Sequence, residues 1–192
     1  MKPTIRPAEY RRRRAALMSH MTPGSVAVVP AATVRLRNRD TEYPFRQDSD
    51  FLYLTGFVEP DAVLVLAPGR DHGEVILFCR DREPRAELYD GERLGPERAV
   101  AALGVDDAFP VADLDEILPG MLEGRERIYM TLGEYPDFDN KVLHWVNSIR
   151  PLPARGTARR VRGPQASAAR AAAVQVRRGD PHHARSGPHH LP

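Results

Sequence analysis

The chain is poor in the residues that staple or anchor a fold. One cysteine, Cys79, stands among 192 residues, which excludes an internal disulfide. No apolar run approaches the ~20 residues of a membrane-spanning helix, and the N-terminus lacks the apolar centre of a signal peptide. A cytoplasmic protein without membrane contact is therefore the expectation. A glycine-rich phosphate loop, a nucleophile elbow and paired-cysteine motifs are all absent. Lysine is scarce as well: only Lys2 and Lys141 among 28 basic residues, a bias that suits GC-rich coding.

Aromatic residues are missing from one whole region. Residues 154–192 contain no Phe, Trp or Tyr, and 29 of these 39 positions are Ala, Arg, Gly, Pro or His. Such a segment has too little apolar surface to offset its ordering entropy, so a disordered basic tail is expected over 151–192 and a folded domain over 5–150. The charge divides at the same place. The tail carries eight Arg against one Asp, +7, and the first 153 residues carry 20 basic against 25 acidic side chains, −5. The overall +2 thus describes neither part, and nucleic-acid binding argued from net charge would rest on the tail alone.

What is present concentrates between Tyr43 and Phe57. These fifteen positions, YPFRQDSDFLYLTGF, hold three of the six Phe and two of the six Tyr residues. Tyr43 precedes a proline and should be extended. Asp48-Ser49-Asp50 offers capping oxygens for a short helix, and Gly56 can close it in the left-handed conformation. The alternation of Phe51, Tyr53 and Thr55 would also suit a strand; the caps at both ends favour the helix. Phe51, Tyr53 and Leu54 are expected in the core.

Around this stretch the pattern reads as alternating helices and strands. A helix is expected from Pro7 to about Met21, with Tyr10, Leu17 and Met21 on one face and Arg11 to Arg14 distributed around a solvated surface. Strands follow at Ser25 to Val29, Ala62 to Ala67 and Glu74 to Cys79, the last two joined as a hairpin through a turn containing His72. Thr33 to Thr41 reads as a surface loop, and Arg80 to Gly95 as a charged, solvated loop or edge. Beyond it, helices are expected at Glu97 to Leu103, Asp113 to Leu122 (shortened or kinked by Pro119) and Pro136 to Ile149, with strands at Asp107 to Pro110 and Arg127 to Thr131. His144 and Lys141 flank the apolar stripe of the last helix as boundary residues. Strands interleaved with helices, plus one hairpin, imply an α/β fold: a mixed sheet flanked by helices.

The string from Tyr43 to Phe57, followed by Glu59-Pro60-Asp61 and Ala62 to Leu66, resembles the N-terminal domain of aminopeptidase P, of the Xaa-Pro aminopeptidase family. The likeness extends to the first helix, to Ala86 through Gly95 and to Gly133-Glu134-Tyr135, over residues 5 to 150. It implies a ribonuclease-H-like, creatinase-type α/β domain. In the family the segment around Tyr89 carries an aromatic residue, usually Trp, that reaches the active site of a neighbouring subunit. Tyr89 is therefore the candidate subunit-interface and substrate-entrance residue. The family is also oligomeric, acts on peptides with proline in second position, and hydrolyses the bond through a hydroxide bridging two manganese ions about 3.5 to 4 Å apart.

Those ions require convergent carboxylates and a histidine, which the family supplies from a C-terminal domain longer than the stretch after Ile149 in this chain. Nothing before position 150 replaces them: Asp48 and Asp50 are explained as helix caps, and the acidic cluster around Asp90 has no histidine beside it. No catalytic, cofactor-binding or metal-binding residue is therefore expected in this chain, the pairs His182-His183 and His189-His190 included. The leading expectation is a non-catalytic fragment of an Xaa-Pro aminopeptidase. The alternative is a stand-alone module that contacts nucleic acid or an acidic partner through its basic tail and Arg11 to Arg14. The tail itself suggests a shifted frame. Advancing one base through a GC-rich coding of Ser167 to Gly187 permits RLHELRLFKSAAEIRIMREAG, which resembles the family's charged helix leading into the catalytic domain.

Overall fold

The computed structural model describes residues 5–38 and 41–149; the expected disordered tail over 151–192 lies outside the described residues. The elements run in the order α1 (Pro7–His20), β1 (Ser25–Pro30), β2 (Leu36–Asn38), β3 (Thr41–Glu42), α2 (Ser49–Thr55), β4 (Val63–Leu66), β5 (Val75–Cys79), α3 (Pro84–Asp90), α4 (Pro96–Leu103), β6 (Asp107–Pro110), α5 (Leu114–Leu122), β7 (Arg127–Tyr129) and α6 (Pro136–Ser148). Five strands form one sheet in the order β6-β5-β4-β1-β7. The neighbours β1/β4 and β4/β5 are antiparallel, whereas β1/β7 and β5/β6 are parallel. The sheet is mixed, as the alternation of elements requires. Pairing of β1 with β7 covers Ser25 to Ala27 only, so Pro30, which has no N–H to give, lies past the last of those pairs.

Side chains alternate between two cores because successive strand residues point to opposite faces. One core joins Val26, Val28, Val63, Val65, Ile76, Phe78 and Ile128 to α5 and α6, where Leu118, Leu122, Val142 and Trp145 face the sheet. The other joins Ala27, Leu64, Leu66, Leu77 and Cys79 to Phe51 and Leu54 of α2, Ala99 of α4 and Met18 of α1. All residues of β4 and β5 are buried, as expected of strands covered on both sides.

Four local expectations are corrected. Tyr53 is 55% exposed, because the single core-facing stripe of α2 is taken by Phe51, Leu54 and Thr55. The segment read as a loop over Thr33 to Thr41 holds β2 and the first residue of β3, which pair as a ribbon too exposed to leave a burial pattern. The segment from Arg80 to Gly95 contains the two-turn helix α3, with Pro84 in its first turn and Gly91 after it; no described side chain of α3 belongs to either core, so the sequence shows no apolar period. Pro119 lies within α5, which runs on to Leu122 without being shortened by it.

A fifth correction concerns Arg14. It is fully buried, the inward member of a Tyr10, Arg14, Met18 stripe spaced by four. Its guanidinium donates to Leu54 O at 3.0 Å, Leu103 O at 3.1 Å and Gly104 O at 2.6 Å. These carbonyls end α2 and α4, where helices leave acceptors unsatisfied and a cation is favoured. Arg14 thus ties three helices together. The other three members of the run stay at the surface or the boundary, Arg12 and Arg13 both donating to Glu9.

Candidate functional site

The aromatic stretch is pinned by a buried glutamine. The Gln47 Oε1 accepts from the backbone N–H groups of Ala32, at 2.8 Å, and Asp48, at 2.9 Å. Its Nε2 donates to Phe57 O at 3.3 Å and to Glu59 O at 2.8 Å. All four hydrogen-bonding sites of the amide are engaged, so its burial leaves no polar atom unpaired.

Next to it, Asp48 caps α2 by accepting from Phe51 N–H at 2.8 Å, and Gly56 closes the helix at φ 68°. The second Asp48 oxygen accepts from the Tyr135 hydroxyl at 3.2 Å, joining the Gly133-Glu134-Tyr135 turn to α2. Burial and the Asp48 carboxylate push the Tyr135 phenol up, keeping it protonated as the donor. Burial, with Asp48 beside it, also raises the Asp50 carboxyl.

These residues floor an open hollow of about 500 Å³, bounded by Ala32, Thr33, Arg35, residues 43–50, Glu134 and Tyr135. Tyr43 and Phe45 stand partly exposed at its rim. It holds charges of both signs: Arg35 and Arg46 against Asp48, Asp50 and Glu134.

A second feature projects from the sheet. Helix α3 carries Tyr89 at 91% and Leu88 at 82% exposure. It is braced within its own loop by the Arg82 guanidinium, which donates twice to Glu87, at 3.1 and 3.2 Å, and holds that carboxyl below its usual range. At its base Glu59 accepts from Leu94 N–H at 2.8 Å and lies 3.6 Å from Arg80. Gly95, at φ 73°, is pressed against the stem of Arg82: a Cβ there would come within 2.7 Å of the Arg82 Cγ.

Among the described residues no three His, Cys, Asp or Glu side chains gather to hold a metal ion. Asp48 is committed to its cap and to Tyr135, His72 is exposed in its turn, and His144 is exposed on α6. Lys141 pairs with Asp115 at 3.2 Å. The donor set does not fit a manganese pair, which needs converging carboxylates. Cys79 is buried, and burial pushes its thiol up to about 12, the opposite of a nucleophile's environment.

Asp48 was legible in the sequence as a cap. Gln47, Arg14 and the Tyr135 to Asp48 contact were not, since their partners lie far along the chain or on its backbone. The buried Arg14 had one available signal, its place four residues from Tyr10 and from Met18.

The architecture defines the class, an α/β domain of three layers with its sheet between two sets of helices. The chain belongs to the family described as aminopeptidase P, N-terminal domain, which matches residues 10–129. It is 46% identical over 143 residues to the Xaa-Pro aminopeptidase of Escherichia coli K12, a match that covers 74% of this chain and 32% of that protein. Its fold superposes on the aminopeptidase PepP of Pseudomonas aeruginosa with a TM-score of 0.73 and 56% identity, over 76% of this chain and 33% of that one. A zinc-substituted E. coli aminopeptidase P in complex with product gives a TM-score of 0.72 at 41% identity, again covering 76% and 33%. The chain therefore spans about a third of the length of the relatives it matches.

Proposed function

We propose that this chain serves as the non-catalytic, assembly-forming domain of an Xaa-Pro aminopeptidase, an enzyme that releases the N-terminal residue preceding proline. The observation that carries the reading is the family match over 10–129 on a domain whose described residues gather no metal-binding cluster. A manganese pair, where the intact enzyme holds one, would supply Lewis-acid chemistry for cleavage of the tertiary amide. The described residues gather no set that could contribute its ligands. Their role is to present α3 to a neighbouring subunit, with Tyr89 at the substrate entrance, in a cytoplasmic homo-oligomer acting on peptides with proline in second position. The exposure of Tyr89 and Leu88 supports this reading, since two adjacent apolar side chains outside any core suit a partner surface.

The same reading covers residues 151–192 as family sequence translated one base out of frame. Its support is the charged helical string that the shifted frame permits. The alternative, a nucleic-acid-binding module, loses part of its basis because Arg14 is buried and Arg12 and Arg13 are engaged by Glu9.

The test is an assay of purified protein on an Xaa-Pro peptide with added Mn²⁺, alongside the nucleotide sequence of the locus from codon 150 onward. We expect no turnover, and a shifted frame that encodes the missing Asp, His and Glu ligands. Turnover that co-purifies with the chain, or a shifted frame that stops early, would overturn the proposal.

A further inference from the structure

The arm that carries α3 leaves the sheet at Arg80, after β5, and comes back at Leu94, before α4. One carboxylate meets both ends. Glu59 Oε1 accepts from the Leu94 N–H at 2.8 Å, and its Oε2 lies 3.6 Å from the Arg80 guanidinium. Two further contacts close the neck: Arg93 donates to Asp81 O at 3.3 Å, and the stem of Arg82 lies against Gly95. Beyond the neck, no described side chain of α3 belongs to either core. The direction of the helix is therefore set at its base.

Glu59 is itself held from three directions. Gln47 Nε2 donates to its carbonyl at 2.8 Å. Pro60 follows it and confines its backbone to extended conformations. Asp61, next along, takes φ 55°, the one non-glycine residue at positive φ among those described, and its N–H donates to Ala32 O at 3.3 Å. A residue with a side chain persists in the left-handed region only where its surroundings over-determine it, and such positions cluster at sites whose geometry is used. The Glu59 side chain is only 16% exposed, and its one hydrogen bond to backbone spans 35 positions. A carboxylate is costly to keep from water without a partner of this kind.

We infer that Glu59 is the positioning residue of the arm: its carboxylate, fixed by Gln47 and the Pro60-Asp61 turn, sets the neck and so the direction in which Leu88 and Tyr89 project. The use of that direction toward a neighbouring subunit rests on the assembly role proposed above; the closure of the neck does not. The 2.8 Å bond to Leu94 N–H is the tighter of the two contacts, so the reach of the side chain matters more than its charge. Aspartate, one methylene shorter, falls short of that N–H; glutamine keeps an acceptor within reach of it.

The test is hydrogen exchange of the full chain, read residue by residue by NMR, with the amides of β4 and β5 as reference. In the parent, the Glu87, Gly91 and Leu94 amides, which donate to Glu83 O, Glu87 O and Glu59, should be protected. Glu59→Asp should speed their exchange at least about tenfold and leave β4 and β5 unchanged, whereas Glu59→Gln should stay within about threefold of the parent. An arm that exchanges freely in the parent overturns the inference. So does the reverse order, with Glu59→Asp like the parent and Glu59→Gln open. A variant that does not fold, or that speeds the strands as much as the arm, makes Glu59 a brace of the whole domain and overturns it equally. The readout needs neither a second subunit nor turnover, so its failure leaves the assembly role standing, and failure of that role leaves the neck.

Discussion

Arg14→Ala tests how the helices of one face are held together. The guanidinium donates to the last carbonyls of α2 and α4 from the middle of α1. Hydrogen bonds to a charged group contribute about 1.5–3 kcal/mol each, so three give a gross of roughly 5–9 kcal/mol. Desolvating the cation costs several kcal/mol in return. Removing the side chain relieves that cost but leaves three carbonyls without their donor and a void under α1. Breaking a buried charged contact from one side typically costs about 3–5 kcal/mol, and we expect a loss in that range. With a slope of about 2–3 kcal/mol/M in urea, the unfolding midpoint should fall by roughly 1–2 M. Arg14→Lys should lie between, because one ammonium cannot span two helix ends as the fork does. A midpoint change under about 0.4 M for Arg14→Ala, at unchanged slope, would falsify the clamp and make Arg14 a passive occupant of its site.

Three further outcomes rest on local geometry. Gly56→Ala places a Cβ 2.4 Å from the Tyr10 ring at a φ of 68°; both the strain and the overlap should cost stability, together above about 1 kcal/mol, measurable by the same urea titration, and Tyr10→Ala should recover part of it. The Glu9 carboxyl is held down to about 2 by hydrogen bonds from Arg12 and Arg13. A depressed folded-state pKa stabilises above the unfolded value near 4.5 and is lost as pH falls toward 2. Glu9→Gln should therefore be less stable than the parent at about pH 6, with the difference shrinking as pH falls through about 2, and a difference that does not shrink over that range would contradict the contact. Cys79 should resist a thiol reagent at about pH 8 in the native protein and react once in roughly 6 M guanidinium; rapid native labelling would mean that β5 opens readily.

The elements with their own local signals were readable directly. The caps of α2 at Asp48 and Gly56, the buried runs of β4 and β5 and the stripe of Phe138, Val142, Trp145 and Val146 in α6 each rest on neighbours within a few residues. The family was legible for the same reason, since Tyr43 to Phe57 and the strand after it form one continuous string. Helix α3 was not, because it owes its form to terminal signals without any buried face.

Periodicity, capping and composition act over short distances along the chain, and these short-range signals were enough to specify a mixed α/β domain. Contacts between distant segments settled other matters. Arg14 became a buried clamp when residues 40 and 90 positions away brought their carbonyls to it. Tyr135 met Asp48 across 87 positions, and Arg35, Arg46, Asp50 and Glu134 came to border one hollow. A side chain's charge is written in the sequence, but whether it is solvated, neutralised or buried depends on which distant backbone and side-chain atoms folding places around it.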